Sequence, residues 1–208
     1  AAVAIQAKQL AQGVILTQYD YDFQPLLQDP LSTIENGMAT NDMVAVTEGD
    51  EVYNVAGDPV TLTTGTKVIV DGAELEWDGS SALELPQLVV TYVLKPYTWS
   101  DGTPGSVEDL KLGMQYNCDP ESGATEFTTC KAIQNIEYAT DGSISYTITY
   151  VPGFQDPTYF TIPNWKTGSP VYPSHQVLSD GRNLKDVPAV EWLTLPEIAE
   201  KPLSYGPF

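Results

Sequence analysis

The side chains able to do covalent or metal chemistry are few in this chain: one histidine, His175, two cysteines, Cys118 and Cys130, and 28 carboxylates spread over 208 residues. A Ser–His or Cys–His nucleophilic system would have to run through His175. That residue lies in Val171-Tyr172-Pro173-Ser174-His175-Gln176-Val177-Leu178, apolar on both sides, a setting for a structural histidine rather than a general base. The cysteines stand twelve positions apart in a polar, loop-like stretch, NCDPESGATEFTTCK. With no C-x-x-C pair and no neighbouring histidine, the spacing of a four-ligand zinc site is missing. A disulfide between Cys118 and Cys130 is the simplest reading and implies an oxidising compartment; two ordinary reduced thiols are the alternative. No glycine-rich phosphate loop, HExxH pattern or EF-hand is present, since Asp20 and Asp22 lack the glycine and distal glutamate of a calcium loop. Paired carboxylates for glycoside hydrolysis can be drawn many ways among 28 acids, and no spacing singles out a pair. The expectation is therefore a chain with no catalytic residues, no metal and no cofactor.

Charge narrows the partners. Nine Lys and Arg against 28 Asp and Glu give a formal charge of −19, which repels phosphate backbones and disfavours anionic membrane surfaces. Nucleic acid is excluded as a partner. No apolar stretch approaches the ~20 residues that span a bilayer, so no membrane-spanning segment is expected in this chain. There is no charged n-region followed by an apolar h-region, a feature that an exported protein loses on processing. At 42% apolar residues the chain can build a core, which argues against disorder.

Residues 1–16 read as a helix, with Val3, Ala7, Leu10 and Val14 at helical spacing. An extended path follows to Pro25, which prevents a regular strand from continuing. From Gln28 to Leu85 the chain reads as a polar, turn-rich β meander. Glu51–Val55 and Val60–Thr64 flank one turn, and Lys67–Val70 and Glu74–Trp77 flank Asp71-Gly72, a favoured two-residue hairpin turn. Leu88–Leu94 is the strongest strand, with Pro86 just before it. Ser100-Asp101-Gly102 makes a tight turn, and Ser106 caps a helix with Glu108 and Asp109 in its first turn. Val107, Leu110 and Met114 bury one face of that helix, which ends near Asn117 before Pro120. Ala132–Tyr138 and Ile144–Tyr150 form a second hairpin around Asp141-Gly142. From Val151 the chain is Pro- and aromatic-rich with little regular structure until Pro196-Glu197-Ile198-Ala199.

The string Leu88 to Leu110, LVVTYVLKPYTWSDGTPGSVEDL, resembles the signature of the family 5 extracellular solute-binding proteins, the peptide, nickel and oligosaccharide receptors of ABC importers. In that family a strand ending in a basic residue precedes an aromatic, then Ser-Asp-Gly-Thr-Pro, then Glu-Asp opening a helix. Here these are Lys95, Trp99, Ser100 to Pro104, and Glu108-Asp109. Tyr19–Pro25, the Pro173-Ser174-His175 element and Leu203–Phe208 are similar to further family segments in the expected order. Two departures stand out. Gly105 occupies a place that usually holds an apolar or β-branched residue, a small loss of packing, and Gln28 to Leu85 is far longer than the family's usual link.

The resemblance implies an α+β fold: a β-rich mixed domain with a few helices, part of the first lobe of a two-lobed periplasmic-binding-protein-like architecture. Residues 1–208 would form part of the N-terminal lobe, with 28–85 as a β-rich insertion and 151–208 as an irregular segment returning toward the main lobe. The chain's end within an approach to a strand is read as a cut inside a longer protein. The implied function is extracellular capture of a small solute, a peptide before a nickel chelate or an oligosaccharide, and delivery to the membrane permease of an ABC importer. The setting would be extracellular or periplasmic, with lipoprotein anchoring of the full-length protein. The position after Asp119-Pro120 nominates Glu126 and Phe127 as ligand contacts, with Trp165 as a weaker third. Plain core packing is the competing role for Phe127. The alternative function is a free-standing extracellular β-rich module binding carbohydrate or protein, and a small hydrolase comes third.

Overall fold

The computed structural model describes residues 16–19, 22–25, 27–123, 127–155 and 171–205. In chain order the strands are β1 (Leu16–Tyr19), β2 (Asp22–Pro25), β3 (Ala39–Val46), β4 (Glu51–Tyr53), β5 (Pro59–Thr61), β6 (Lys67–Val70), β7 (Ala73–Glu76) and β8 (Leu83–Leu94). Helices α1 (Val107–Asn117) and α2 (Thr128–Lys131) then lead to β9 (Ile133–Tyr138) and β10 (Ile144–Tyr150), and the short helices α3 (Ala189–Trp192) and α4 (Pro196–Ala199) follow. The helix expected over residues 1–16 lies outside the described residues, except that Leu16 opens β1 instead.

The centre is a four-stranded antiparallel sheet in the order β3-β8-β10-β9. Strand β10 behaves as its alternation requires: Ile144, Tyr146, Ile148 and Tyr150 are buried, while Ser145, Thr147 and Thr149 between them are not. Tyr146 lies directly opposite Tyr92 of β8, and the two rings stack at 5.1 Å. Helix α1 covers this face with Leu110 and Met114, completing a cluster that also holds Val90, Tyr92, Leu94, Trp99 and Phe154.

Strand β8 is longer than expected, because it runs through Pro86 rather than starting after it. The register explains the tolerance. The Pro86 carbonyl accepts from Gly153 N–H at 2.8 Å, on the flank where the last β10 pair is Thr149 with Val89. The missing N–H therefore points past the end of β10, where no ladder bond is needed. At the same point the buried residues of β8 change phase. Leu88, Val90, Tyr92 and Leu94 serve the main cluster, whereas Leu83 and Leu85 face the other way. Strand β3 does the same, with Ala39 opposite Val90 in the main cluster and Val44 opposite Leu85 in the other.

The stretch read as an inserted meander thus contributes its first strand, β3, to the main sheet. Between β3 and β8 lies a separate small core, where the hairpins β4–β5 and β6–β7 bury Val52, Leu62, Val68 and Trp77 against Val46 and Leu85. Each of the fully buried aliphatic side chains stabilises this unit by about 1.5–3 kcal/mol. The β6–β7 turn is the one expected: Asp71 (φ 50°) and Gly72 (φ 80°) supply the two left-handed residues of a type I′ turn.

A third cluster forms on the opposite face of α1. Leu112, with Tyr116 beside it, packs against Tyr172, Leu178, Leu184, Val187, Trp192, Leu195 and Ile198. The Pro-rich C-terminal segment is therefore a small helical cap with its own core. No helix among the described residues is long and apolar enough to cross a membrane.

Candidate functional site

The turn Ser100 to Pro104 is closed by Gly102 N–H to Trp99 carbonyl and Trp99 N–H to Thr103 carbonyl, both 2.8 Å. Asp101 accepts from Thr103 N–H at 2.9 Å, and its second oxygen meets His175 Nε2 at 2.9 Å. The Thr103 amide, and after it the His175 contact, hold the Asp101 carboxyl below the usual carboxylate range. The histidine thus ties the Pro-Ser-His element to the Ser-Asp-Gly turn, the structural role expected of it.

Asp109 carries more than the helix-dipole role read from sequence. Its carboxylate is fully buried. One oxygen accepts from Tyr97 OH (3.0 Å), Trp99 Nε1 (2.9 Å) and Ser106 N–H (3.0 Å). The other accepts from Ser174 N–H (2.8 Å) and Ser174 Oγ (2.7 Å). Burial first, and then the Asp109 charge, push the Tyr97 phenol far above its ordinary range, so it stays a protonated donor. Ser100 and Ser204 exchange bonds through Ser100 N–H to Ser204 carbonyl (2.7 Å) and Ser204 N–H to Ser100 Oγ (3.1 Å). Tyr205 closes the group against Tyr97 and Trp99, with ring centroids at 5.1 and 5.0 Å. Three of the stretches that carry the family resemblance, the Lys95 to Asp109 string, the Pro173-Ser174-His175 element and the segment reaching Ser204 and Tyr205, therefore converge on one knot. The Tyr97, Trp99, Ser106 and Ser174 donors are all satisfied by Asp109 itself, so the knot is a framework and not a ligand pocket.

Gly105 belongs to this framework. A Cβ there would run into the Tyr97 ring, and Gly105 N–H donates to the Tyr97 carbonyl at 2.8 Å. The packing expected to be lost at Gly105 is supplied by tyrosine from beyond the preceding strand end. Gly105→Ala should therefore cost about 1–3 kcal/mol. In a urea-denaturation cycle with Tyr97→Ala the two costs should be well below additive, and simple additivity would show that the ring and the glycine are not coupled.

Cys118 and Cys130 form a disulfide, with Cα atoms 5.6 Å apart. Cys118 closes α1 through its N–H to the Met114 carbonyl (3.1 Å), and Asp119 caps the following 3-10 turn, Pro120–Ser122, by accepting from Glu121 N–H at 2.7 Å. Phe127 sits just before α2, half-buried, its carbonyl taking Lys131 N–H at 2.9 Å. It joins none of the three apolar clusters among the described residues. Glu126 and Trp165 lie outside the described residues.

Sequence reasoning missed a small, open depression of about 60 Å³ beside this loop, lined by Leu112, Gln115, Tyr116, Asp119, Lys185, Val187, Pro188, Ala189 and Trp192. Tyr116 and Trp192 stack there at 4.2 Å and 14°. No group of three or more metal-ligating side chains occurs among the described residues.

No family model matches the sequence, and no curated protein matches it. Solved structures do match. The oligopeptide-binding protein AppA from Bacillus subtilis, in complex with a nonapeptide, aligns over 97% of this chain at 11% identity with a TM-score of 0.54. This chain is similar in fold to part of AppA. It spans 28% of AppA's length. Two further matches are an oligopeptide-binding protein from Thermus thermophilus complexed with a pentapeptide and lactococcal OppA with an endogenous peptide in its closed conformation. The first has 15% identity, a TM-score of 0.43 and coverage of 72% of this chain and 19% of that one. The second has 19% identity, a TM-score of 0.40 and coverage of 77% and 29%. The β-rich α+β architecture with few helices is that of a part of the AppA fold.

Proposed function

We propose that this chain is part of the N-terminal lobe of an extracellular or periplasmic receptor, lipid-anchored in its full-length form, that captures a peptide and delivers it to the permease of an ABC importer. The observation that carries this reading is the likeness of fold to AppA over nearly the whole chain. The knot around Asp109 supports it, because it gives the solute-receptor string Lys95 to Asp109 a physical task. The receptor is not an enzyme. The unit between β3 and β8 is an elaboration of the lobe, and the C-terminal cap is where the chain turns back toward it. Phe127 is half-buried and outside the apolar clusters, which favours a contact role over core packing, with Glu126 and Trp165 as its partners at the ligand.

The test is a thermal-shift comparison of the full-length protein and this chain against di- to hexapeptides, nickel chelates and oligosaccharides. A ligand at 100 times its Kd stabilises the native state by about 2.7 kcal/mol. The expected result is a peptide response in the full-length protein and none in this chain alone. A strong response by this chain alone would favour the free-standing module. A response only to chelates or sugars would reassign the solute.

A further inference from the structure

The unit between β3 and β8 reaches back to α2, the helix that Phe127 precedes. It does so through a preformed turn. Asn54 Oδ1 accepts from Ala56 N–H at 2.9 Å and from Asp58 N–H at 3.0 Å, and Asn54 N–H donates to the Asp58 carbonyl at 2.9 Å. The turn presents the Asp58 carboxylate to Lys131 Nζ at 3.0 Å, across 73 positions of sequence. Next to the turn, Tyr53 fixes the unit on the main sheet: its N–H donates to the Pro152 carbonyl at 2.8 Å and its ring meets Phe154 at 5.1 Å.

Lys131 ends α2, and its N–H donates to the Phe127 carbonyl at 2.9 Å, so the two residues stand one helical turn apart. A turn rises about 5.4 Å, inside the Debye length of about 8 Å at physiological salt, so a charge on Lys131 is felt beside Phe127. From Cys118 to Lys131 it is the only Lys or Arg, against Asp119, Glu121 and Glu126. The unit adds charge of the same sign as these carboxylates. Residues 47–82 hold eight Asp and Glu and one Lys, Lys67, which pairs with Glu74 at 2.7 Å.

We propose that this unit sets the charge preference of the peptide site, with Asp58 as the specificity-determining residue. By compensating Lys131, Asp58 leaves a negative potential beside Phe127 that selects a peptide with a cationic side chain over one with an acidic side chain. This role rests on the receptor reading and on Phe127 as a ligand contact. With side chains 56% and 50% exposed, the Lys131–Asp58 pair adds little to stability, so its removal changes the local field without unfolding the lobe.

The test uses the full-length protein and three pools of pentapeptides, randomised except for a central lysine, alanine or glutamate. Titration calorimetry at low salt should rank the pools lysine, alanine, glutamate, with about fivefold between steps, the scale of one exposed charge pair. Asp58→Asn should shrink the lysine-over-glutamate ratio about fivefold. Adding Lys131→Gln to that variant should restore the ratio, a rescue that a merely structural role for the pair would not produce. High salt should compress all the ratios. If the unaltered protein binds the glutamate pool as tightly as the lysine pool, or if Asp58→Asn leaves the ratio unmoved, the charge role is overturned and the receptor reading stands. No binding of any pool overturns the receptor reading and the charge role with it.

Discussion

Asp109→Asn should destabilise the protein by about 3–5 kcal/mol, the cost of breaking a buried charged hydrogen-bond network from one side. Counting donors shows why. The two carboxylate oxygens accept five hydrogen bonds, three on Oδ2 and two on Oδ1. An asparagine amide has one oxygen, so whichever way it turns, its NH2 faces donors. The Tyr97 and Ser174 hydroxyls can rotate, but the Trp99 indole and the backbone amides of Ser106 and Ser174 cannot become acceptors. Urea unfolding followed by fluorescence measures the loss. The matched control is Glu108→Gln, one residue away, whose only ion pair among the described residues is the exposed Lys111 contact at 2.6 Å and which should change stability by less than about 1 kcal/mol. If the two variants behave alike, Asp109 is not the tie point of the framework.

The second large effect concerns Cys118 and Cys130. Replacing both with serine should lower stability by roughly 3 kcal/mol, because the cross-link limits the unfolded chain across a separation of 12 residues. The same drop should appear when the unaltered protein is unfolded under reducing conditions, and the double variant should be indifferent to reductant. An unaltered midpoint would mean that the loop is held by the Asp119 cap and α2 without the covalent tie.

Much of this is legible in local chemistry. The Asp71-Gly72 turn, the Ser106 helix start and the Cys118–Cys130 pairing each depend on residues within a few positions, or on an arithmetic of two thiols. What escapes a linear reading depends on distance or on edges. Strand β3 reads only as part of a turn-rich meander, because an edge strand exposed at Thr40, Asn41, Asp42 and Met43 shows no alternation. Pro86 reads as a boundary, since only the register shows that its nitrogen faces no partner. The role of Asp109 rests on Ser174, 65 residues later, which no local pattern announces. The depression at Trp192 is hidden for the same reason, since α1 and the cap meet only in the fold.

The way in which the chain leaves and re-enters the main sheet has a consequence for how such a protein can change. Val46 and Leu83 are cross-strand partners, so the excursion between them begins and ends at backbones about 5 Å apart. That makes a socket. Any unit whose two ends lie side by side could be plugged in there, or a short turn could close the gap, without altering the pairing of β8 with β10. The coupling that resists such an exchange includes Leu83 and Leu85 on the reverse side of β8, Tyr53, whose N–H reaches the Pro152 carbonyl at 2.8 Å and whose ring meets Phe154 at 5.1 Å, and the Asp58–Lys131 ion pair at 3.0 Å. Evolution can therefore trade the outer module while leaving the framework around Asp109 untouched.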